Sequence, residues 1–113
     1  MRKYISSISF LSLFFISNPA IAATTCIGTI SSSHVTIDGG VLFRASWGGY
    51  IQACNISATW KGVPPEVCAA WVAKLDAAVS LGRSTRVYYT DTLVCADVPT
   101  YSASPAPYYI MLE

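Results

Sequence analysis

The sequence has one histidine, His34, and few charges, with Asp, Glu, Lys and Arg together at 12% of its 113 residues. A lone histidine leaves little material for proton-transfer chemistry. His34 follows Ser31, Ser32 and Ser33 in a predicted strand, where neighbouring side chains point to opposite faces. A catalytic triad draws on separate elements, so no serine–histidine pair is expected there. The six carboxylates of residues 23–113 lie mostly in predicted turns or on the predicted helix, with no sign of a facing pair of the glycosidase kind. No C-x-x-C spacing occurs: Cys26, Cys54, Cys68 and Cys95 are separated by 27, 13 and 26 residues, which argues against a metal site. Gly39-Gly40 and Gly48-Gly49 lack the spacing and following helix of a phosphate loop. There is no basic cluster, so nucleic acid is not an expected partner. No catalytic residue, metal or cofactor is expected, and the protein is read as a non-enzyme.

The longest apolar run, residues 8–16, is too short to span a bilayer comfortably. Arg2 and Lys3 precede it, Asn18-Pro19 breaks it, and Ala20-Ile21-Ala22 has the small-x-small form of a cleavage site. Residues 1–22 are therefore read as a secretory signal peptide. No other stretch is read as a membrane span. Residues 23–113 then form a single domain, with five basic and six acidic side chains and a net charge of −1. A core of that size is marginal without added constraint. All four cysteines fall in this part. In a secreted or periplasmic chain an even count predicts two disulfides.

The strongest local signal is residues 63–82, VPPEVCAAWVAKLDAAVSLG. Pro64 and Pro65 suit a first helical turn, and Glu66 complements the positive end of the helix dipole. Gly82 stands where a left-handed terminator is wanted. Val67, Trp71, Leu75 and Ala78, with Cys68, Val72 and Val79, predict a broad apolar face. Ala69, Ala70, Ala73 and Ala77 form the back, open either to solvent or to a neighbouring helix. Strands are predicted over 27–37, 41–46, 50–59, 84–90 and 108–112, with a turn at Asp38-Gly39-Gly40 and a Pro/Ser-bearing loop over 91–107.

The order is β-β-β-α-β-β, a mostly β domain with one helix (α+β); it is the order of an OB-fold-like five-stranded barrel, with a different α+β sandwich built on a hairpin meander as the alternative. In such a barrel the first and fourth strands are antiparallel neighbours, which would bring Cys26 to Cys95. Cys54 and Cys68, joined by a short segment, would form the second bridge.

Aromatic side chains are numerous. Trp71 belongs to the helix's core face. Trp47 and Trp60 fall in predicted loops, where packing does not require them. Trp47, Tyr50, Trp60 and Tyr101 are the candidate ligand-binding residues, because amphipathic rings on a rigid scaffold serve sugar or protein recognition.

Ala78-Val79-Ser80-Leu81-Gly82-Arg83-Ser84-Thr85-Arg86-Val87-Tyr88-Tyr89, with Cys54 before the helix, resembles the B subunits of bacterial AB5 toxins of the subtilase cytotoxin and typhoid toxin type. The resemblance covers about half of residues 23–113. It implies an OB-fold pentamer with helices around a central pore and glycans bound at the outer surface. Cys68 within the helix and the long loop before Tyr108 depart from that pattern, and Ser31 to Ser33 only lie near the early-strand serine that contacts sialic acid in those subunits. The expected function is a small exported, glycan-directed binding module, with homo-oligomer formation as a toxin-type B subunit. The alternative is a disulfide-stapled protein-interaction module, an inhibitor or accessory subunit.

Overall fold

A computed structural model describes residues 23–113. The predicted signal peptide, residues 1–22, lies outside the described residues. The fold is organised by one long strand, β1 (Thr24–Val35), which begins three residues before the predicted start. Its first half pairs with β4 (Ser84–Tyr89), from Thr24 opposite Tyr89 to Thr29 opposite Ser84. Its second half pairs with β2 (Gly40–Ala45), from Ile30 opposite Ala45 to Val35 opposite Val41. A bulge at Ser31 separates the halves and lets one strand serve two neighbours. β3 (Tyr50–Asn55) adds to β2, and β5 (Tyr109–Leu112) adds to β4. The sheet order is β3-β2-β1-β4-β5, with every neighbouring pair antiparallel.

Several predicted boundaries shift for local reasons. β3 stops at Asn55 rather than running to residue 59. There the Asn55 carboxamide oxygen accepts hydrogen bonds from the amides of Ser57 and Ala58, turning the chain out of the ladder. The helix α1 (Pro65–Leu81) starts behind Pro64, which has no side-chain cap, and ends at Gly82 with φ 64°. Gly82 takes the left-handed conformation that glycine adopts without strain, and its N–H bonds the Ala78 carbonyl. The buried stripe of α1 is Cys68, Trp71, Leu75 and Ala78. It is narrower than predicted: Val67 and Val79 are 38% and 37% exposed.

The core lies between α1 and the sheet. Phe43, Ile51, Val87, Leu75 and Tyr89 are among its largest fully buried side chains. The disulfides join Cys26 to Cys95 and Cys54 to Cys68. The first ties the start of β1 to the 91–107 segment, where Cys95–Asp97 form a short 3-10 turn. The second ties β3 to α1.

The sheet is open, and the predicted barrel is not closed by hydrogen-bonded strands. Among the described residues, β3 meets the 91–107 segment through one parallel bridge, Ile51 to Tyr101. Pro99, Pro105 and Pro107 lack the N–H that a regular ladder would need. The segment instead lays an irregular turn on the β3 edge and then runs to β5 at the opposite edge.

Candidate ligand-binding cleft

Cross-strand register divides the β1–β2–β3 sheet into two faces. Ser33, Phe43 and Ile51 form one row, and Val35, Val41 and Cys54 another. These rows face the core and α1, and Ser33 Oγ donates to Asp76 of α1 at 3.1 Å. The alternate rows are Ser32, Arg44, Tyr50 and His34, Leu42, Gln52, which face the other way. Leu42 and Gln52 are nonetheless 4% and 8% exposed, because the 101–104 turn covers them.

That turn is built around Ser104, whose side chain is fully buried. Ser104 Oγ accepts from the Gln52 amide at 2.9 Å and lies 3.1 Å from the Gln52 carbonyl, occupying the place of a neighbouring strand. The Tyr101 amide donates to the Tyr50 carbonyl at 2.9 Å, and the Ser104 amide closes the turn on the Tyr101 carbonyl. Opposite the turn stands the β1–β2 hairpin. Its tip is held by Gly39 at φ 93°, by the Gly39 N–H to Thr36 carbonyl bond, and by Thr36 Oγ1 accepting from the Gly40 amide at 3.0 Å. The Thr36 hydroxyl also donates to the Asp38 carboxylate. That bond and the Gly40 amide hold the Asp38 carboxyl below its ordinary pKa.

Between hairpin and turn lies a cleft of about 410 Å³, lined by His34, Thr36, Ile37, Asp38, Leu42, Gln52, Tyr101 and Ser102. Leu42 and Ile37 are its apolar surfaces. The Tyr101 ring, 59% exposed, stands at its lip. Hydroxyls, a carboxamide, an imidazole and one carboxylate supply hydrogen-bonding groups of both senses. Beside it, Tyr50 gathers three neighbours. Its hydroxyl lies 3.2 Å from Ser32 Oγ, its ring meets His34 edge-on at 5.4 Å, and the Arg44 guanidinium sits 5.7 Å from the ring centroid.

Of the four aromatics singled out from sequence, Tyr101 lines this cleft, and Tyr50 stands beside it, joined to Tyr101 by its backbone carbonyl. Trp47 does not join them. It is half-buried, packs on the core with its ring 6.3 Å from Phe43, and its indole N–H has no hydrogen-bond partner among the described residues. Trp60 is not among the cleft's lining residues; it sits under the Lys61 ammonium, 4.7 Å away. His34 lines the cleft, but no metal-holding group of His, Cys, Asp and Glu exists among the described residues. Sequence reasoning missed Thr36, Gln52, Ser102 and Ser104. The Asp38-Gly39-Gly40 turn is a visible signal for one wall. No pattern signals Ser104, whose partners lie 52 positions away.

A second cavity, about 330 Å³, opens beside the start of α1. Val63, Pro64, Val67, Trp71, Pro107 and Tyr108 are among its lining. Tyr108 is 69% exposed and contacts Tyr88 and Tyr109, which stack on each other at 5.0 Å.

No protein-family model, curated protein or solved structure matches the chain. The reading of the site rests on its geometry.

Proposed function

We propose that this protein is a small exported binding module directed at glycans, with the cleft between the β1–β2 hairpin and the 101–104 turn as its ligand site. The observation that carries this reading is the pairing of an exposed Tyr101 ring with Thr36, Asp38 and Ser102 around one concavity. A sugar presents an apolar C–H face and a rim of hydroxyls. An aromatic ring takes the first, and a carboxylate and hydroxyls take the second. Export is supported by the leader-like first 22 residues and by two disulfides, which persist in oxidising compartments. No helix among the described residues is long and apolar enough to cross a membrane.

The toxin-type reading belongs to the same proposal. β1 is flanked by β2 and β4, the neighbours it has in an OB-type barrel, and the 101–112 stretch touches both edges of the open sheet. A pentamer would place the exposed alanines of α1 against a neighbouring copy. Native mass spectrometry of the oxidised 23–113 protein tests this: five times the monomer mass supports the ring, and a clean monomer removes it.

The glycan reading is tested on a broad glycan array. Binding by the wild type that is lost in Tyr101→Ala supports it, and a silent array with folded protein overturns it. A second reading, a protein-interaction module, is favoured by the exposed Tyr108 at the rim of the second cavity. Under that reading Tyr108→Ala, not Tyr101→Ala, abolishes recovery of a partner protein.

A further inference from the structure

Lys61 has a backbone conformation that its side chain does not favour. Its φ is 47°, followed by Gly62 at 86°, and the Trp60 and Val63 backbones bond each other in both directions across the turn. This is a two-residue turn with both central residues left-handed, where asparagine, aspartate or glycine is the usual first residue. A long side chain at such a position is uncommon and asks for a reason. The reason is visible in what the ammonium reaches. Nζ donates to the Ser104 carbonyl at 2.7 Å and to the Ser102 carbonyl at 2.9 Å, and it stands 4.7 Å over the Trp60 ring. Two carbonyls and an aromatic face surround one cation.

The chain segment so held is the cleft wall. Ser102 and Tyr101 line the cleft, and the rest of the turn's attachment is sparse. Among the described residues, its hydrogen bonds to the sheet are one backbone bond from Tyr101 to Tyr50 and the Ser104 hydroxyl on Gln52. Tyr101 is itself left-handed at φ 55°, a conformation that costs free energy in a non-glycine residue and persists only when its surroundings impose it. Both Lys61 bonds are charge-assisted, and they tie the turn's backbone to the segment before α1.

We infer that Lys61 is a latch: it holds the 101–104 turn against the β3 edge, and so fixes the position of the Tyr101 ring and the width of the cleft. Lys61 is a positioning residue, since it lines the second cavity and not the cleft. Its ammonium is thus reachable from one cavity while the wall it holds belongs to the other. Opening the latch frees Tyr101 to relax out of its left-handed conformation and exposes Gln52 and Leu42.

The latch rests on the glycan reading only for the identity of the ligand. Its direct test needs no ligand. Amide hydrogen exchange of the oxidised protein, resolved by NMR, is compared for wild type, Lys61→Met and Lys61→Arg. Methionine keeps the unbranched stem and removes the charge, and arginine restores a cation. In Lys61→Met the amides of Gln52, Tyr101 and Ser104 should exchange about tenfold faster or more, while Val87 and Cys26 in the β1–β4 ladder stay unchanged. Arginine should recover most of the protection. Unchanged exchange at those three amides, or an increase spread evenly over the whole sheet, overturns the latch. The array distinguishes the two claims. If the wild type binds, Lys61→Met should weaken binding and Lys61→Arg restore it. A wild type silent on the array with the exchange difference intact overturns the glycan reading and supports the latch.

Discussion

On the α1 side of the sheet, Phe43, Ile51 and Val41 are buried by a helix that brings its own apolar stripe, with Leu75 at its centre. On the opposite side, Leu42 and Gln52 are buried almost as well by a four-residue turn that brings a serine hydroxyl, one backbone amide and, through Lys61, an ammonium. The first side is held by apolar area, which is non-directional and tolerant of small shifts. The second is held by a few directional bonds between residues far apart in sequence, each of which can be removed singly. The helix side gives the domain its stability. The turn side gives it a shaped surface, at the cost of depending on individual polar atoms.

The sharpest way to probe the contrast is to delete comparable amounts of each side. Leu75 has no exposed surface and lies at the centre of the helix stripe. Leu75→Ala should cost about 2–5 kcal/mol, from lost transfer energy and the cavity left behind. Denaturant unfolding measures it, and a loss below 1 kcal/mol would mean that the α1 side is not a packed core. Ser104→Ala should cost less, about 1–3 kcal/mol, because the buried Gln52 amide loses its acceptor. Its effect should be local: faster exchange at Gln52 and Tyr101 with β4 and β5 unaltered. If Ser104→Ala instead lowers stability as much as Leu75→Ala, with exchange raised everywhere, the two sides are one cooperative unit and the comparison fails.

The smallest expected effect concerns the hairpin wall. The Thr36 hydroxyl and the Gly40 amide lower the Asp38 pKa from its ordinary 3.8. A carboxyl depressed in the folded state contributes stability above its unfolded value, and loses that contribution as pH falls through the lower folded value. Wild type should therefore lose stability more steeply than Asp38→Asn below about pH 4. Asparagine cannot ionise but can still accept from both groups. Parallel acid-unfolding curves for the two proteins would show that the Asp38 charge is not tied to the hairpin. Because Asp38 is fully exposed, only the slope and not the overall stability is expected to respond visibly.

Legibility in the sequence follows the same division. The helix was readable because its stops are local: prolines at one end, Gly82 at the other, and apolar residues at helical spacing between them. The breadth of its face is not legible, since Val67 and Val79 are apolar yet more than a third exposed. Strand ends were readable only to a few residues, as the Asn55 turn shows. Tyr101 in the cleft and Tyr50 beside it can be picked out as aromatics in or near predicted loops. Trp47 satisfied the same criterion and packs on the core instead, because a turn residue can fold back as easily as it can point out. Trp60-Lys61-Gly62-Val63 was readable as a connection, but the two carbonyls that receive the lysine lie more than forty positions away.

By itself the sequence determined the number and order of the strands, the placement of the helix, and the need for covalent reinforcement. Each follows from short-range periodicity, from turn residues, or from the number of cysteines against the size of the core. Only the tertiary structure decided that the sheet stays open, that Ser104 substitutes for a strand at its edge, and that Lys61 sets one wall of the cleft. Those outcomes depend on where a proline-bearing segment of irregular backbone comes to rest. Nothing periodic specifies that position; it is chosen by which buried donors and acceptors on β3 remain to be satisfied.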